Sequence, residues 1–67
     1  MRDPRVDPRP GDVLQSPYGY DQMEVVGSGG GIVVVRDNAR RLYQIKTRNW
    51  SDWCEPLDVV RRAEDSA

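Results

Sequence analysis

The sequence predicts a mostly β fold, either a small SH3-like barrel or a curved antiparallel sheet, finished by a short C-terminal helix. Three observations predict it. At 67 residues the chain has room for one domain with one core. Its β-branched runs, at residues 23–26 and 32–36, are short and bounded by Gly, Pro, Asp and Asn, the punctuation of closely spaced strands and turns. The apolar spacing turns helical only near the end, where Trp50, Trp53, Cys54 and Leu57 fall at i, i+3, i+4 and i+7.

The elements follow in order. Residues 1–10 carry prolines at positions 4, 8 and 10, each removing a backbone donor and steering its predecessor toward extended backbone. An extended, proline-rich arm is expected there. Gly11 and Asp12 read as a turn and Val13, Leu14 and Gln15 as a first strand. Ser16 to Asp21 combines proline, glycine and aspartate, which is loop chemistry, with Tyr18 and Tyr20 at the tip.

Residues 23–26 and 32–36 read as a hairpin whose turn is Gly27-Ser-Gly-Gly-Gly31. A second hairpin joins residues 32–36 to 41–46. If its loop centres on Asn38 and Ala39, Ile32 and Val34 share a face with Tyr43 and Ile45, and Val33 and Val35 share the other with Leu42 and Gln44. A loop one residue longer exchanges those faces. Thr47 or Asn49 is placed to cap the tryptophan-bearing helix, and Pro56 to end it. The β domain is thus expected over 11–56, with 57–67 as a second short helix or a disordered acidic tail.

Composition narrows the function classes. No histidine is present, which removes the usual general base and most transition-metal sites. One cysteine, Cys54, makes neither a disulfide nor a structural zinc site. Its neighbours Trp53 and Glu55 do not activate a thiolate, so it reads as a small buried hydrophobe. The glycine run lacks the strand-to-helix setting and the following lysine of a phosphate loop. Asp12, Asp21 and Glu24 are read as solvated acids, because nothing in their spacing selects a catalytic pair. No catalytic residue, cofactor or metal is expected. Lacking a long apolar run or a leader-like start, the chain reads as cytoplasmic, away from membranes.

Net charge is −1, yet one basic block stands out: Arg36, Arg40, Arg41, Lys46 and Arg48 against Asp37. Around a second hairpin, with tyrosines nearby, such a block suits single-stranded nucleic acid. It also suits an edge protected from aggregation, and the acidic tail opposes a polyanion elsewhere. The competing reading is a protein-binding module using Tyr18, Tyr20, an exposed tryptophan edge from Trp50 or Trp53, at least one of which is expected in the core, and the proline arm. Self-association as a homodimer belongs to the same reading. Binding residues are therefore expected among Tyr18, Tyr20, Arg36, Arg40, Arg41, Lys46, Arg48 and Trp50.

Pro8-Arg-Pro-Gly-Asp-Val13, the glycine-punctuated hairpin, Arg41-Leu-Tyr-Gln-Ile45 and Trp50-Ser-Asp-Trp-Cys54 together resemble a class of short phage and prophage proteins of unknown function, over residues 8–55. The Pro-Gly-Asp-Val opening also resembles the first strand of SH3-like and KOW-type modules. A proline-tyrosine loop stands where the KOW pattern continues with a glycine-bearing turn. The resemblance implies a fold and a phage or bacterial origin, and suits an adaptor or inhibitor of a host protein.

Overall fold

The structure is a computed structural model describing residues 2–17 and 21–66. Five strands, β1 (Val13–Gln15), β2 (Gln22–Gly29), β3 (Ile32–Arg36), β4 (Leu42–Lys46) and β5 (Asp58–Arg61), form one antiparallel sheet. Helix α1 (Thr47–Cys54) connects β4 to β5, and a 3-10 turn (Ala63–Ser66) follows. The strand order is β4-β3-β2-β1-β5, so β4 and β5 are edges and the sheet is open, not closed into a barrel. No helix among the described residues is long and apolar enough to cross a membrane.

The first hairpin differs from its expected form. β2 runs through Gly27, Ser28 and Gly29, and Gly30 and Gly31 make the turn, both in the left-handed region. The pairing shifts between Val25 and Gly27, leaving Val26 as the extra residue of a bulge. In the second hairpin Val33 faces Ile45 and Val35 faces Tyr43. Its loop therefore spans Asp37 to Arg41, one residue longer than a loop centred on Asn38 and Ala39, and the faces exchange. Tyr43 and Ile45 join Val33 and Val35 on the inner face, while Ile32, Val34, Gln44 and Lys46 look outward. The extra loop residue is accommodated by Arg40, which adopts φ 64.

The inner face carries the core: Leu14, Val25, Val33, Val35, Trp50, Cys54 and Leu57, with Met23 and Ile45 packed against it. Helix α1 contributes Trp50 and Cys54 as the helical spacing predicts. Neither expected cap is used: Lys46 is the N-cap, with no side-chain bond, and Thr47 is already helical. The helix stops before Pro56, which cannot continue the ladder.

Two terminal segments correct the expectations. Residues 57–67 were expected as a helix or tail, but Asp58–Arg61 pairs with β1, Leu14 opposite Val59. The β-branched Val59 and Val60 suit both periods locally, and the otherwise bare edge of β1 selects the strand. Residues 2–10 are no free extended arm. They turn at Asp3, whose carbonyl accepts the N–H groups of Val6 (2.9 Å) and Asp7 (2.8 Å), and Pro4 and Pro8 are buried. The Trp50 indole donates to the Pro4 carbonyl at 2.9 Å, and Ser28 donates to that of Pro8 at 3.2 Å. The arm is thus part of the layer that covers the inner face, because a sheet of this size and an eight-residue helix leave core surface that must be covered.

Candidate binding groove

Two carboxylates organise the molecule in opposite ways. Asp12, read from the sequence as solvated, is fully buried. Gly11 delivers it from a φ of 102°, with Ala63 so close that a Cβ at position 11 would lie 3.1 Å from its methyl. Arg2 grips both oxygens of Asp12 at 2.6 and 2.5 Å. The backbone N–H groups of Arg9 and Ala63 also donate to it, each at 2.7 Å. Arg2, itself 8% exposed, also reaches the Asp7 carbonyl (2.7 Å) and Glu64. Burial pushes the Asp12 pKa up, but the Arg2 bonds, the two N–H donors and the Arg2 charge outweigh it and hold the group below its usual value. Arm, first strand and C-terminal turn are joined at this point, and every Asp12 oxygen is engaged within the fold.

At the far end of the inner face the β1–β2 and β3–β4 loops meet, linked by the Gln22 N–H donating to Asn38 at 3.3 Å. Between them and α1 lies a groove of about 510 Å³, within the size range of ligand sites. Met23 and Ile45 give it an apolar floor, Tyr43 and Trp53 its aromatic walls, and Asp21 and Asp37 its charge. Trp53 stacks on the buried Trp50, centroids 5.3 Å apart at 25°, and remains 37% exposed. Asp37 accepts the N–H groups of Ala39 and Arg41 on one oxygen, both at 2.9 Å, and the Tyr43 hydroxyl on the other at 3.0 Å. The Arg41 N–H is the largest cause holding Asp37 below the usual carboxylate range, despite some desolvation, with Tyr43, Ala39 and the Arg41 charge adding to it.

The residues singled out from the sequence do not converge on this groove. Trp50, expected at the partner surface, is 1% exposed; the exposed indole is Trp53. The core requires one large side chain from α1, and the position facing β3 takes it. Arg36 pairs with Glu24 at 2.8 Å on the outer face. Arg40 and Arg41 lie in the β3–β4 loop and Lys46 and Arg48 at the opposite end of β4, separated by about 15 Å of strand. Tyr18 and Tyr20 lie outside the described residues; their sequence neighbours Ser16 and Asp21 line the groove.

Asp37, Met23 and Ile45 were not among the sequence candidates, and of the two tryptophans weighed for an interface Trp50 was the one named as a binding residue. A signal existed for Asp37, since an aspartate opening a hairpin loop commonly bonds the N–H two residues on. None existed for Trp53, because periodicity places both tryptophans on one stripe without saying which lies at its margin. Cys54 is fully buried, and burial is the main cause pushing its thiol up to about 12, so the sulfur stays protonated at neutral pH. In comparisons with known proteins, no family model, no curated protein and no solved structure matches the chain.

Proposed function

We propose that this protein is a non-catalytic protein-binding module whose partner segment lies in the Tyr43–Trp53 groove. One observation carries the reading: two large aromatic side chains, 44% and 37% exposed, stand over an apolar floor in a concave site. Exposed aromatics in such a setting dominate interface energies, since they bury much area with few rotors to order. Tyr18 and Tyr20, outside the described residues, are proposed as further partner-binding side chains. The resemblance to short phage and prophage proteins fits an adaptor or inhibitor acting on a host protein. Single-stranded nucleic acid on residues 36–48 draws less support, because the basic side chains sit at two ends of one strand and Arg36 is paired.

The test is selection of a random-peptide display library on the wild-type protein, with the Tyr43→Ala/Trp53→Ala double variant as counter-target. Enrichment of peptides that bind wild type and not the variant is the expected result. Enrichment of nothing, or of peptides indifferent to the two substitutions, overturns the groove as the binding site.

A further inference from the structure

We infer that the groove receives an arginine side chain of the partner; the inference deepens the protein-binding reading and rests on it. Charge complementarity is the first ground. Two of the groove's lining residues are carboxylates and none is basic. Among the described residues, the ion pairs join Arg2 to Asp12 and Glu64, Arg5 to Asp3, Arg9 to Asp7, Arg36 to Glu24 and Arg62 to Asp65. Asp21 and Asp37 take part in none of them. Asp37 already feels the Arg41 charge, so the negative charge that the groove sets beside apolar surface without a partner among these pairs is that of Asp21.

The aromatic walls specify the kind of cation. A guanidinium is planar and weakly hydrated, lies on the face of a Trp or Tyr ring, and can donate in its own plane to a carboxylate at the same time. An ammonium, compact and strongly hydrated, makes the second interaction and gives up more solvation for the first. The arginine methylenes match the Met23 and Ile45 floor, as long basic side chains lay their stems along apolar surface.

The walls are also set in place before anything binds. Trp53 is backed by Trp50, which is anchored through its indole N–H to the Pro4 carbonyl. Tyr43 is tied through its hydroxyl to Asp37, and Asp37 to its own loop by two backbone donors. Side chains already ordered lose little further freedom on binding, which favours a small ligand group such as one arginine. Asp37, held charged by those donors, adds to the attraction, and Asp21, an exposed lining residue, supplies the carboxylate for the guanidinium.

The experiment is an NMR titration of the ¹⁵N-labelled protein with two glycine-flanked peptides, one carrying arginine and the other citrulline, its neutral isostere. The arginine peptide is expected to shift the Trp53 indole N–H and the Tyr43 and Asp21 amides saturably, and to bind about fivefold or more tighter than the citrulline peptide. Asp21→Asn, an exposed change, is expected to weaken the arginine peptide about threefold and leave the citrulline peptide unchanged. Equal affinities of the two peptides, shifts centred away from the groove, or an Asp21→Asn variant that binds as wild type would each overturn the inference. Its failure is distinguishable from failure of the protein-binding reading. Groove-dependent peptides selected without arginine sink only this inference, whereas a selection that yields no groove-dependent peptide sinks both.

Discussion

Asp12 and Asp37 use the same chemistry for different ends. Each accepts two backbone N–H bonds and a side-chain donor, and each is held charged. Asp12 is buried, so its charge must be met inside the fold, and Arg2 meets it. Asp37 lines the groove, where its oxygens accept from its own loop and from Tyr43 and the Arg41 charge also acts on it. A buried carboxylate in a chain of this size is therefore architectural, whereas a partly exposed one orders its own loop and one wall of the groove.

The contrast breaks most visibly at Asp12. Asp12→Ala leaves two N–H groups and part of the Arg2 guanidinium without their acceptor, Arg2 keeping the Asp7 carbonyl and Glu64, a loss of about 3 kcal/mol, a large share of the stability of a domain this small. Urea unfolding followed by circular dichroism should find the variant largely unfolded; a midpoint close to wild type would mean that the Arg2–Asp12 knot is ornamental. Next in size, Trp50→Phe removes the bond to Pro4 and part of the core volume, for about 2 kcal/mol. The arm should then become more susceptible to proteolysis than the sheet, since Trp50 is one of its anchors.

Acid should test the Asp12 site by the slope of stability against pH. Because Asp12 titrates in the folded state below its ordinary value of 3.8, its contribution is fully present above the unfolded pKa and is lost as pH falls through the folded one. Thermal midpoints should hold down to about pH 5 and fall below about pH 4, and Asp12→Asn should flatten that fall. An unchanged acid slope would assign the loss to other carboxylates. Cys54 offers a milder check. With its thiol buried and raised to about 12, modification by a disulfide reagent should proceed only as fast as the protein opens, and labelling should accelerate in Asp12→Ala. The smallest effect on stability is expected from Asp21→Asn, whose unfolding midpoint should match wild type while its affinity for arginine peptides falls.

Much of the fold was legible because it rests on local rules. Val13–Gln15, the two hairpins around the glycine run and Asp37, and a helix turning Trp50 and Cys54 inward all follow from short β-branched runs, turn residues and one change of period. Less of the groove was legible. Tyr43 was a visible aromatic, but its face depends on a single loop residue, and the register decided by Arg40 at φ 64 brings it beside Trp53. Asp12 looked like one more surface acid because, apart from the Arg9 N–H, its partners lie ten residues before it and fifty-one after it, beyond any periodicity.

What the sequence by itself determined is the class of object: a short chain rich in strand and turn signals, without histidine, with one inert cysteine and one helical turn near its end. Only the tertiary structure decided that residues 58–61 pair with β1 instead of coiling, that the proline arm covers the core, and that Trp53 faces the groove while Trp50 is enclosed. Those outcomes depend on bare strand edges, uncovered core surface and a buried charge finding partners across the chain. Local propensity is nearly balanced at each of them, so the long-range contact supplies the deciding free energy.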